Sequence, residues 1–185
     1  MVSREVDIRN AKLMGGIGAI LELVGGFIPY LRWVLPLAGL VLVLLALKKI
    51  SDETGKPTIF KDFLVSVIFM AIGNILFSAM LAMGLITFLS SLGKGANIPH
   101  FGSVFFASLL LCWVFLIIGA YFLLTSFNSL AEATGEGTFK TAAILIFFGA
   151  ILSIIIIGYV VSFVGEIIEV AAFFSLPDRL EVSTS

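Results

Sequence analysis

Five apolar stretches, 12–30, 33–49, 61–92, 103–127 and 140–165, occupy most of the chain and leave only short loops between them. A helix needs about 20 mostly apolar residues to span the ~30 Å hydrocarbon of a bilayer at ~1.5 Å per residue. Only 12% of the residues are charged and 60% are hydrophobic, where soluble domains carry about 25% charged residues. The runs are continuously apolar and do not alternate, which excludes a β-barrel and leaves helices. Pro29-Tyr30-Leu31-Arg32 alone separates the first two runs, which read as a tight hairpin. The third and fifth are long enough to tilt or to project past the lipid. The expectation is an all-α integral membrane protein with five transmembrane helices. It divides into a cytoplasmic segment at 1–11, one transmembrane domain at 12–176 and an extracytoplasmic tail at 177–185.

The second half partly repeats the first. Trp33-Val34 recurs as Trp113-Val114, Gly39 as Gly119 and Leu44 as Leu124, each 80 residues on. At the same spacing Thr54-Gly55 and Thr58 match Thr134-Gly135 and Thr138. One residue out of step, Phe60-Lys61 matches Phe139-Lys140, and Phe69, Ala71, Ile72 and Ile75 match Phe148, Ala150, Ile151 and Ile154. This predicts two similar hairpins, about 33–92 and 103–165, related as parallel copies, with one extra helix in front. The repeated loops supply the turn chemistry. Gly55 and Gly135 can take the left-handed conformation that closes a helix. Pro57 blocks continuation, and Thr58 and Thr138 are placed to cap the next helix.

The stretch LVLLALKKISDETGKPTIFKDFLVSVIF contains the first of these loops, with "KKISDETG" followed by "IFKDFL". Over about residues 39–75 it resembles a family of archaeal and bacterial membrane proteins known as domain of unknown function 996. The resemblance implies a small polytopic membrane protein and brings no activity, substrate or catalytic residue with it.

Charge sets the expected orientation. With five spans, Arg4, Arg9, Lys12, Lys48, Lys49, Lys56, Lys61 and Lys140 fall on one side, and Arg32, Lys94 and Arg179 on the other. The positive-inside rule then puts the amino terminus in the cytoplasm and the carboxy terminus outside a cell membrane. Residues 1–11 mix both charge signs and do not resemble a cleavable signal. A net charge of −1 argues against nucleic acid as a partner. The lipid bilayer is the partner the composition names, with further copies or a larger membrane complex left open.

Few residues carry chemistry. Cys112 is the single cysteine and reads as a small apolar packer. His100, the single histidine, falls in the expected outer loop from Lys94 to Gly102. Asp52, Glu53, Glu132 and Glu136 read as solvated loop carboxylates before they read as a cation site. Inside the membrane Glu22 stands out, because a mid-depth ionisable group costs roughly 2.5–3.5 kcal/mol or more. Gly15, Ala19, Glu22 and Gly26 share one narrow helix face. Ala71, Asn74, Ser78 and Ala82 make a similar face in the third run at similar depth, and Ser153 takes the place of Asn74 in the repeat. Glu22, Asn74, Ser78 and Ser153 are thus expected to form one midplane polar cluster. It would act either as interhelical glue, with Glu22 bonded to Asn74, or as a proton or cation relay. Glu166 and Glu169 share a face where the fifth run is expected to emerge into the outer interface.

No phosphate-binding Gly-rich loop, Ser/His/Asp set or paired metal ligands are present in the sequence, so neither an enzyme nor a cofactor or metal is expected. The reading is a non-catalytic helical bundle serving as scaffold or accessory subunit. The alternative is a small proton- or ion-coupled transporter or oligomeric channel using Glu22. A transporter requires a central cavity reaching Glu22, and a scaffold requires a dry seam.

Overall fold

The structure is a computed structural model that describes residues 2–91 and 98–184. Helices stop where the sequence supplies a stop. Helix α1 (Arg9–Gly25) is followed by α2 (Val34–Thr54), which ends at Gly55 with φ 67°. After α3 (Pro57–Ser91), α4 (Ile98–Thr134) ends at Gly135 with φ 75°. In both turns a threonine hydroxyl donates back along its helix, Thr54 Oγ1 to the Ile50 carbonyl at 2.7 Å and Thr134 Oγ1 to that of Leu130 at 2.8 Å. Pro57 opens α3, where its missing N–H is no loss. Thr58 therefore lies inside the helix it was expected to cap. Helix α5 (Thr138–Ile151) is capped by Glu136, whose carboxylate accepts from the Thr138 N–H at 3.0 Å and from its hydroxyl. Alanine at either positive-φ glycine meets open space, so only backbone strain opposes it. Gly55→Ala and Gly135→Ala should each cost about 1 kcal/mol in reversible unfolding. No loss in either would show that these turns relax freely.

The fifth apolar run does not cross as one helix. After α5 a 3-10 turn at Leu152–Ile154 and an extended Ile155 reverse the chain into α6 (Ile156–Ser175). Four consecutive β-branched residues, Ile154–Ile157, fit poorly in a continuous helix. Small residues hold the reversal closed: a Cβ on Gly149 would lie 2.6 Å from Ser162 N, and one on Gly165 3.0 Å from Ile146 N. There are thus six helices among the described residues, not five. Four are long and apolar enough to span a bilayer, and α1 and α5 are shorter. This is a membrane protein.

The reversal brings the carboxy terminus back. Strand β1 (Val2–Asp7) pairs antiparallel with β2 (Arg179–Thr184), Val2 opposite Thr184 and Asp7 opposite Arg179. The tail expected on the opposite side from the amino terminus lies beside it. Asp178 takes Lys12 at 3.2 Å and Arg9 at 3.7 Å, and Arg179 reaches Glu5 at 3.2 Å. The Asp7 carboxylate accepts from the Arg9 N–H at 2.9 Å, a bond that holds it below its ordinary range.

Each helix packs on its neighbour in sequence, and α6 packs on α1, so the six close into a ring in chain order. Glycines set the approaches. A Cβ on Gly18 would lie 2.7 Å from the Gly39 carbonyl, and one on Gly119 3.2 Å from both Met70 N and the Ser66 carbonyl. Near the end that carries the termini the ring is filled by aromatic packing. Phe63 stacks on Phe127, Phe127 meets Phe139 edge-on, and Phe139 meets Phe173 edge-on at 5.0 Å. Ser126 Oγ donates to the Ile59 carbonyl at 2.6 Å in the same layer.

Beyond the two threonine-glycine stops the proposed repeat units differ. Helix α4 has 37 residues where α2 has 21, and α3 runs unbroken where α5 stops. Trp33 is 73% exposed at the start of α2, under the Arg32 guanidinium. Trp113 instead donates its indole N–H to the Ala150 carbonyl at 3.1 Å, tying α4 to α5.

Candidate functional site

All six helices meet around a cavity of about 200 Å³. Counted at ~1.5 Å per residue from the end carrying the termini, its lining lies roughly 10–20 Å deep on every helix. Glu22 enters from α1, and Glu166 and Glu169 from α6. The facing wall is apolar, with Leu40, Phe63, Met70 and Leu123 among its residues, and Ser66 supplies a hydroxyl. That hydroxyl is directed to Met70 Sδ at 3.9 Å. Among the described residues no Lys, Arg or His lines the cavity.

The glycines that close the ring also aim the carboxyls. Gly39 makes room for Glu22: a Cβ there would lie 2.8 Å from Glu22 Cγ. Gly165 lets α6 lie against α5, and the next residues on its inner side are Glu166 and Glu169. Glu169 is 8% exposed, and Glu166 is exposed. The Glu22 Oε1 atom is buried and has no hydrogen-bond partner. Like charge makes the three groups repel one another when ionised. They do not converge closely enough to hold a metal ion as a set.

Glu22 is therefore at the centre of a polar site, but not the one expected. Asn74 is exposed, and its side-chain amide donates to the Met70 carbonyl of its own helix at 2.9 Å. Ser78 is exposed further along α3. Ser153 sits in the reversal after α5, donating to the Ala150 carbonyl at 2.8 Å. None of the three lines the cavity. Equal depth did not bring them to Glu22, because depth leaves a residue's direction around the helix undecided. Glu166 and Glu169, expected at the outer interface, are the actual partners. Their signal was in the sequence: Gly158, Ser162, Gly165 and Glu169 repeat the i, i+4, i+7, i+11 spacing of Gly15, Ala19, Glu22 and Gly26.

The remaining candidates are structural. Glu53 pairs with Arg4 at 3.8 Å and Glu132 with Lys56 at 3.7 Å, while Glu136 caps α5 and Asp52 is exposed. The repeated-loop residues Thr54, Gly55, Thr134 and Gly135 form helix stops. Cys112 is buried between α3 and α4, beside an apolar groove of about 310 Å³ along their far halves. His100 falls in the first turn of α4 and not in a loop, and Lys94 lies outside the described residues.

The family described as "Protein of unknown function (DUF996)" matches residues 35–167, well beyond the loop that carried the resemblance. An uncharacterized protein of Methanocaldococcus jannaschii, MJ1644, is 34% identical over 177 residues, covering 96% of this chain and 97% of its own length. No solved structure matches the chain.

Proposed function

Given that the chain belongs to the DUF996 family, whose description assigns no function, we propose from the cavity itself that it is a small carrier moving a proton or cation past Glu22, Glu166 and Glu169. The observation that carries this reading is the unpartnered Glu22 Oε1, buried in a cavity that two further carboxyls share. An unpaired carboxyl inside a membrane bundle is costly, and a scaffold gains nothing from three of them. The glue alternative relied on a bond from Glu22 to Asn74, whose amide is engaged elsewhere. The site has no nucleophile paired with a base, so the proposal is of a carrier and not an enzyme.

Orientation belongs to the same proposal. Among the described residues Arg4, Arg9, Lys12, Lys48, Lys49, Lys56, Lys61, Lys140 and Arg179 lie at the end carrying the termini, and Arg32 lies at the other. The positive-inside rule puts both termini in the cytoplasm of a cell membrane. The matching threonine-glycine stops support an ancient duplication of the α2–α3 hairpin, with the counterpart of α3 since bent into α5 and α6.

The test is a pH gradient across liposomes holding the full-length protein, followed with an enclosed pH dye. External Na⁺, K⁺ or an alkylammonium salt should collapse the gradient. Glu22→Gln and Glu169→Gln should slow the collapse to the rate of empty vesicles while remaining monodisperse in detergent. Wild-type vesicles that hold the gradient against every cation would return the protein to the scaffold reading.

A further inference from the structure

We infer that the central cavity binds a small organic cation, an alkylated ammonium, with its charge at Glu22 and Glu169 and its hydrocarbon against Phe63, Met70 and Leu123. This deepens the carrier reading and rests on it for the movement, though not for the binding.

Polarity is divided between the walls of the cavity. Both helices that carry carboxyls, α1 and α6, pack against each other, so the negative charge forms one side of the cavity. The opposite side, from α2 to α5, offers hydrocarbon, one aromatic ring and one thioether. A hard inorganic cation needs oxygen on all sides, six to eight ligands for calcium and near-octahedral geometry for magnesium. Here the far wall offers only the Ser66 hydroxyl, already turned to Met70 Sδ. The carboxyls themselves do not close to metal-ligand spacing. An ion whose charge is wrapped in alkyl groups needs what this cavity has, a diffuse negative side and an apolar side. Aromatic faces add to the binding of quaternary ammonium groups.

Size agrees with this. At about 200 Å³ the cavity exceeds the ~150 Å³ that holds a benzene-sized guest. That is far more than a bare metal ion fills and suits an ammonium with ethyl-sized arms. Two observations beyond the acidic cluster point to a ligand. The Glu22 Oε1 is buried without a partner, and Glu169 is 8% exposed with no hydrogen bond or cation beside it among the described residues. Glu166 is the most exposed of the three carboxyls.

Protons should compete with the ligand. The groups facing Glu22 across the cavity are Glu166 and Glu169 from α6, and then Leu40, Ser66, Leu123 and Ile146 from α2 to α5, none of which titrates near neutrality. Only the three carboxyls can gain or lose charge there, so binding should strengthen as pH rises and release protons.

The experiment is calorimetric titration of the purified full-length protein in detergent with tetraethylammonium chloride, against NaCl and MgCl₂ as competitors. Saturable binding is expected, with proton release seen as a dependence of the heat on buffer ionisation enthalpy. Glu22→Gln and Glu169→Gln should each weaken it roughly tenfold or more. If either variant loses its fold, the pH dependence of wild-type binding carries the same test. Saturation by Na⁺ or Mg²⁺ with no heat from tetraethylammonium would overturn the inference and leave the carrier reading standing. Tetraethylammonium binding that ignores both pH and the glutamine variants would also overturn it, placing the ligand elsewhere, as in the groove between α3 and α4. Binding as described, in vesicles that hold their pH gradient, would sustain the inference while removing the carrier reading.

Discussion

Phe173→Ala should lower the stability of the bundle by roughly 3 kcal/mol, the low end for an aromatic-to-alanine change in a packed interior. Phe173 is fully buried and meets Phe139 edge-on, at an interplanar angle of 85°. Its ring lies over Gly15, in the position a Cβ there would need. Gly15 and Gly16 on α1 carry no side chain to replace it, so the hole persists at the seam that joins α1 to α6. The low end applies because apolar groups leaving a helix seam in a bilayer enter lipid and not water, so lost packing dominates over lost transfer. Reversible unfolding in mixed micelles would measure it. Ile167→Ala, on the exposed side of the same helix, should change stability by under about 0.5 kcal/mol. Equal effects at the two positions would mean that α6 does not pack on α1 through Phe173.

Gly39→Val should cost about 3 kcal/mol and silence the cavity as well. Its Cβ would stand 2.5 Å from the Gly18 carbonyl and 2.9 Å from Glu22 N, both backbone atoms that cannot rotate away. Overpacking usually costs about 1–3 kcal/mol, and the upper end applies when backbone and not side chain must yield. Helices α1 and α2 would separate, and Glu22 would lose the space over Gly39 that aims it inward. Gly26→Ala is the control, since the nearest atom to its Cβ is the Leu23 carbonyl at 4.0 Å. A Gly39→Val protein with wild-type melting behaviour and Glu22-dependent activity would show that the close crossing is not needed.

Much of this fold was legible from local rules. The apolar runs gave helices because a bilayer admits little else, and the threonine-glycine stops formed where a positive φ was anticipated. The site was half legible. Glu22 was conspicuous because one carboxyl in an apolar run has no local compensation. Its partners were hidden by the continuous hydropathy of residues 140–165, which measures length and says nothing about reversal. A single crossing of that run carries Glu166 and Glu169 to the side opposite the termini, and the reversal after α5 brings them back. The periodic small residues from Gly158 to Gly165 held the contrary information, since they call for a close helical neighbour. Asn74 was the opposite error, a polar group of suitable depth whose amide is satisfied by its own backbone.

The ring is closed by the segments that are farthest apart in synthesis. Gly15 and Phe173 are separated by 158 positions, 173 − 15, and the strand pair joins the first residues to the last. At ~5–20 residues per second a ribosome takes on the order of ten to thirty seconds to make what lies between them. Throughout that interval α1 lacks the α6 face that packs on it, and the long closure makes this contact the slow one. The cavity therefore cannot assemble until α6 has been made. A chain interrupted before α6 leaves Glu22 without Glu166, Glu169 and the seam at Phe173 that enclose it.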